Sequence, residues 1–120
     1  MKSLKRGEKS SVRFRNLNPI QRMKTKIFNQ YVEKVCYLFG IESEILFTKT
    51  KRRDVVDARH LLYYLCSIRP MRLVYIQEYM AENGYVINHS SIHHGISQVR
   101  QKLEEDVDYI EVISKVANEV

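Results

Sequence analysis

Apolar residues recur at three- and four-residue steps along most of this chain, and the residues that stop a helix fall between those runs. Only 4 glycines and 2 prolines interrupt the 120 residues. Asn18-Pro19-Ile20-Gln21 has the parts of a helix start: Asn as N-cap, Pro in the first turn, and Gln three positions after the cap. Ile20, Met23, Ile27, Tyr31, Val35 and Leu38 then make one stripe, which Gly40 ends as a left-handed cap. A short helical turn is expected over 41–46, with Ile45 and Leu46 facing inward. Asp54 opens the next helix as cap or first-turn acid, with Val55, Ala58, Leu61, Leu62, Leu65 and Cys66 inside, and Arg69-Pro70 stops it. A third helix over 72–82 buries Leu73, Ile76, Tyr79 and Met80, and Asn83-Gly84 breaks it. After the apolar connector Tyr85-Val86-Ile87, Asn88 caps a fourth helix on Ile92, Ile96, Val99 and Leu103. Asp106 or Asp108 caps a last one on Tyr109, Val112, Ile113 and Val116. No strand pattern competes, so the expected fold is all-α and compact.

The length suits one domain with a real core. The expected division is a basic arm over 1–17 and a helical domain over 18–120. The net charge of +6 favours a polyanionic partner, but it is unevenly spread. Residues 1–26 hold nine Lys or Arg against Glu8 alone, more than the whole net charge, so the rest of the chain is slightly acidic. Any nucleic-acid surface on the domain is therefore a local patch, with long-range attraction left to the arm. Cys36 and Cys66 lie far apart among apolar residues and read as reduced core thiols. Neither a signal peptide nor a stretch of membrane-spanning length is visible, which sets the expectation of a cytoplasmic protein.

Two segments carry candidate chemistry. The first is the pair of helices around Asn83-Gly84, because a helix-turn-helix needs a second helix whose opening residues reach base edges. Asn88-His89-Ser90-Ser91 supplies short donors and acceptors there. The same letters are also ordinary helix caps. The second is the basic loop Lys49-Thr50-Lys51-Arg52-Arg53, which offers phosphate contacts or a minor-groove probe and can equally be a solvated charged loop. Arg59, among apolar neighbours in the middle of a helix, fits a structural hydrogen-bonding role or a DNA contact. His89 and His93 have helical i, i+4 spacing, yet no acid or Cys stands beside them, so no metal is expected. Glu104-Glu105-Asp106 and Asp108 read as a solvated helix junction. No nucleophile and base share a recognisable spacing and no Gly-x-x-x-x-Gly-Lys-Ser/Thr loop is present, so neither an enzyme nor a cofactor is expected.

The run from Thr48 to Leu65, Thr-Lys-Thr-Lys-Arg-Arg-Asp-Val-Val-Asp-Ala-Arg-His-Leu-Leu-Tyr-Tyr-Leu, resembles the C-terminal DNA-binding domain (domain IV) of the bacterial replication initiator DnaA. Asn88-His89-Ser90-Ser91-Ile92-His93-His94 resembles the same family's Asp-His-Thr-Thr-Val-x-His signature, and the likeness covers about residues 27–115. It implies a Trp-repressor-like helix-turn-helix, free-standing here without the family's ATPase domain. By position it implies that His89, Ser90 and Ser91 face bases or the adjacent backbone, with Asn88 and His94 in the same signature. It places Lys51 where the family has a minor-groove Arg, with Arg53 as a further loop contact; Lys49 and Arg52 are candidates from the charge of the loop itself. The chain departs from the family in having Asn88 for Asp, Lys51 for Arg, and a longer connection between the two helices.

The expected function is thus double-stranded DNA binding in replication initiation or transcription control, in a bacterium or phage. Its rival is a structural or interaction protein that reuses the fold, such as a phage particle component or an inhibitor of a host replication protein. Under either, other proteins of a replication or phage assembly are candidate partners.

Overall fold

The computed structural model describes residues 18–120, and the expected basic arm over 1–17 lies outside the described residues. Six helices follow one another among the described residues, with no strand between them. They are α1 (Pro19–Phe39), α2 (Ser43–Leu46), α3 (Arg53–Ile68), α4 (Leu73–Glu82), α5 (His89–Glu105) and α6 (Val107–Glu119). None of them is long and apolar enough to cross a membrane.

The ends of the helices follow local chemistry. The Asn18 side chain accepts the Gln21 N–H at 2.8 Å while Gln21 Oε1 accepts the Asn18 N–H at 3.0 Å, so each satisfies a donor that the first turn leaves open. Gly40 closes α1 at φ 62°, a left-handed conformation that costs glycine nothing. Asn88 caps α5 by accepting the Ser91 N–H, and Asp106 caps α6 by accepting the Asp108 N–H. At α3 the cap position is Arg52, which gives no side-chain cap; Asp54 sits inside the first turn and bonds Arg52 instead.

The core is one cluster. α3 is its central rod, contributing Ala58, Leu61, Leu62, Tyr63, Leu65 and Cys66, with both α1 and α5 packed against it. α1 contributes Ile27, Phe28, Tyr31, Val32, Val35 and Cys36. This corrects the stripe expected from spacing: Ile20 and Met23 are 67% and 63% exposed, and Leu38 is exposed as well. The first two turns of α1 run past the core, and below them the helix turns Phe28 and Val32 inward. On α6 the buried residues are Ile113 and Val116, whereas Val112 faces outward. Both cysteines are free and buried, and burial pushes their thiols up, so they stay protonated.

α5 packs tightly on α3 at Gly95. A Cβ there would stand 2.8 Å from ring carbons of both His60 and Tyr63. The absence of a side chain lets α5 lie against those rings. Gly95→Ala should therefore destabilise the domain by about 1–3 kcal/mol, the usual cost of overpacking, even though alanine is the better helix former by roughly 1 kcal/mol. Urea denaturation checks this; an unchanged or higher midpoint would show that the two rings can move aside.

Candidate nucleic-acid interface

Arg59 sits near the middle of α3 and is only 6% exposed. Its Nε donates to the Leu46 carbonyl at 3.0 Å, and one terminal nitrogen donates to the Tyr85 hydroxyl at 2.8 Å. The other donates to the carbonyls of Thr48 and Thr50, at 3.0 and 2.7 Å. A flat fork of donors thus gathers a helix end, a loop and the connection before α5 around one side chain. Of the two roles open from the sequence, the structural one is what the geometry displays.

The consequence is a fixed basic loop. With the Thr48 and Thr50 carbonyls turned inward, the loop runs across the surface beside α3. The Thr48 hydroxyl donates to the Ile45 carbonyl at 2.7 Å, and the Arg52 N–H donates to the Thr50 hydroxyl at 3.2 Å. Lys51 and Arg53 are exposed and make no hydrogen bond or ion pair with the other described residues. Arg52 is exposed but bonds both carboxylate oxygens of Asp54, at 3.1 and 2.8 Å. That hydrogen-bonded pairing holds the Asp54 carboxyl below its ordinary value and offsets part of the Arg52 charge. Lys49 turns away from the other cations: its Nζ donates to the Val86 carbonyl at 2.7 Å and lies 4.2 Å from the centre of the Tyr85 ring.

The connection over 83–88 is held as firmly as the loop. Gly84 takes φ 88°, and the Tyr85 N–H bonds the Met80 carbonyl at 2.9 Å, which closes α4. Gln77 Nε2 donates to the Ile87 carbonyl at 2.7 Å. With Lys49 on the Val86 carbonyl, both carbonyls before Asn88 are tied to side chains from other elements. Asn88 spends its side-chain oxygen on the cap, and the next three residues, His89, Ser90 and Ser91, are exposed on the first turn of α5. His94 is exposed one turn further, its ring edge-on to His60 with centroids 5.8 Å apart. A shallow groove of about 380 Å³ lies between α3 and the start of α5, lined by Tyr63, Tyr85, Ser90, Ser91 and His94 among others.

The sequence-expected residues therefore fall into two groups that Arg59, Tyr85 and Lys49 join: the loop with Lys51, Arg52 and Arg53, and the α5 tip with Asn88, His89, Ser90, Ser91 and His94. Lys49 belongs to the joint more than to the open surface. Sequence reasoning passed over Tyr85, Gln77 and Gly95. Gly95 alone left a signal, a glycine inside an otherwise regular helical stripe. Among the described residues, no three His, Cys, Asp or Glu side chains are grouped to hold a metal ion. Compared with protein-family models, curated proteins and solved structures, the chain matches none.

Two outcomes follow. Arg59→Met keeps the apolar stem but strands the buried Leu46 carbonyl and Tyr85 hydroxyl, so it should cost about 3 kcal/mol in urea denaturation. Amide hydrogen exchange over 48–52 should quicken beyond what that loss explains; uniform quickening would mean that Arg59 does not hold the loop. The second concerns His60, half-buried against His94. Burial first, and the neighbouring His94 second, hold its pKa below the ordinary 6.5. The unfolded chain then binds the proton more readily, so stability is complete above about pH 6.5 and falls as pH drops from there through the folded value. Replacing His60 by Gln should flatten that fall in urea midpoints measured between pH 7.5 and 5.

Proposed function

We propose that the chain binds double-stranded DNA, with α4, the connection and α5 acting as a helix-turn-helix and the loop over 48–53 lying on the adjacent backbone. The observation that carries this reading is the Arg59 joint, which supports the basic loop and the start of α5 in one fixed relation. DNA readers need that combination. Phosphate contacts set the register of the protein, and a helix tip reads bases from that register. The α5 tip carries short polar side chains and no acid, so it can enter a groove between phosphates without repulsion. The likeness of the loop and tip to the initiator domain supports the same reading and places it in replication or transcription control. In a cell the protein would then act on the chromosome or a phage genome.

A second reading, a protein-interaction role, draws on one observation. Tyr37, 87% exposed, with Leu38 and Val112, leaves an apolar strip between α1 and α6, on residues the DNA reading does not use.

Selection of bound fragments from random duplex DNA tests the first reading, with a recovered sequence motif as the expected result. Salt-sensitive binding without a motif would favour the structural role instead. His89→Ala should cost roughly 1–3 kcal/mol on the selected site and far less on random DNA, where phosphates dominate. Ile92→Asp puts a charge at a fully buried position and should unfold the domain by circular dichroism. A folded His89→Ala protein that keeps full discrimination would remove α5 from base reading. In the loop, Arg53→Ala should lower the slope of log affinity against log salt by about one unit. Arg52→Ala should lower it by less, because Asp54 already offsets that charge.

A further inference from the structure

Tyr63 is 3% exposed, and its hydroxyl makes no hydrogen bond with the other described residues. It is nevertheless not sealed in, because the side chain lines the groove between α3 and the first turn of α5. Gly95 is what admits it there, since any side chain at that position would strike its ring. The hydroxyl oxygen is open to the groove rather than sealed from solvent, so an acceptor that enters the groove can reach its proton. Burial also pushes the Tyr63 phenol well up, so it remains a donor across the working range of pH.

The rest of the lining has the same polarity. The Tyr85 hydroxyl accepts from Arg59, which leaves its own proton to donate. The Arg59 guanidinium meets only carbonyls and that phenol, so its charge is balanced by no carboxylate. No Asp or Glu lines the groove. Ser90 and Ser91 add hydroxyls, and His94 adds a ring nitrogen. The N–H groups of His89 and Ser90 come before the first intrahelical bond of a 17-residue helix, at its positive end. Donors thus converge on this space from two helices, with uncompensated positive charge behind them.

We propose that the groove between α3 and the first turn of α5 seats a phosphate group, with the Tyr63 hydroxyl as one of its donors. The phosphate comes from the backbone of bound DNA or is a free phosphate ion; the DNA source rests on the reading given above. With a backbone phosphate in the groove, Ser90, Ser91 and His94 serve attachment, and base reading narrows to the outward-facing His89.

The test uses the full chain in two arms. In the first, inorganic phosphate is titrated at constant ionic strength while the amide resonances of Ser90, Ser91 and His94 are followed. In the second, affinity is measured for duplexes of several sequences. Tyr63→Phe removes one oxygen atom, and Ser91→Ala alters only an exposed side chain, so folding of the second is not at risk; circular dichroism checks both. The expected result is saturable shifts with phosphate, weakened about tenfold or more by Tyr63→Phe, the worth of a hydrogen bond to a charged group. Duplex affinity should fall by one common factor for all sequences, with sequence preference unchanged. An effect in the phosphate arm alone supports the seat and assigns it to the free ion. An effect in the duplex arm alone supports it and assigns it to the backbone. If both folded variants behave as the parent in both arms, the seat is overturned. If the parent binds no duplex at all, the DNA reading fails by itself, and the phosphate arm still decides the seat.

Discussion

A guanidinium that is 6% exposed and has no acid beside it sets the conditions for the whole candidate face. Removing a charge from water costs several kcal/mol unless its donors are filled, and around Arg59 they are filled by backbone carbonyls and one phenol. Carbonyls of a loop can fill them only if the loop comes to the arginine. The need to satisfy one side chain therefore dictates the path of the backbone from Leu46 to Thr50. The outward direction of Lys51 and Arg53 follows from that path. The Tyr85 hydroxyl extends the same constraint to the connection before α5, so loop and helix tip are placed by a single residue of the central helix.

Packing sets the remaining coordinate. Arg59 fixes the loop relative to α3, but the height of α5 above α3 depends on Gly95 lying over His60 and Tyr63. A larger residue there would lift the α5 tip away from the loop and open the groove beneath it. The two constraints differ in kind, one of hydrogen bonding and one of volume. They meet within a single turn of α3, where Arg59, His60 and Tyr63 are close neighbours in sequence.

How much of this was legible beforehand depends on how far apart the partners lie. The Asn18–Gln21 box, the Gly40 cap, and the Asn88 and Asp106 caps are contacts of two or three residues, and the sequence displays them openly. The inner faces of α3 and α5 were legible because both helices are packed along their length. α1 is less legible: Ile20 and Met23 keep the period but run past the core, Leu38 stays exposed beside α6, and periodicity says nothing about where a neighbour ends. Arg59 could only be left open, because its acceptors lie 9, 11, 13 and 26 positions away. Tyr85 looked like part of an apolar connector because nothing local distinguishes a buried phenol that accepts from an arginine from one that merely packs. For the candidate tip residues, the structure adds that Asn88, His89, Ser90, Ser91 and His94 lie on the surface.

The long connection between α4 and α5 illustrates how the pieces act together. Six residues between helices ordinarily bring slack, and slack at the start of a helix offered for binding adds an ordering cost when a ligand arrives. Here the connection has little freedom. Gly84 makes the turn, Gln77 holds the Ile87 carbonyl, Lys49 holds the Val86 carbonyl, and Tyr85 is clasped between Lys49 and Arg59. Lys49 thereby gives up reach toward a ligand in exchange for control of the joint. This accounts for a basic loop whose first cation lies along the surface against the connection while Lys51 and Arg53 stay unpaired among the described residues. On the proposed reading, the outward cations of the loop would attach, Lys49 would align the joint, and the short polar side chains of the α5 tip would be left to discriminate.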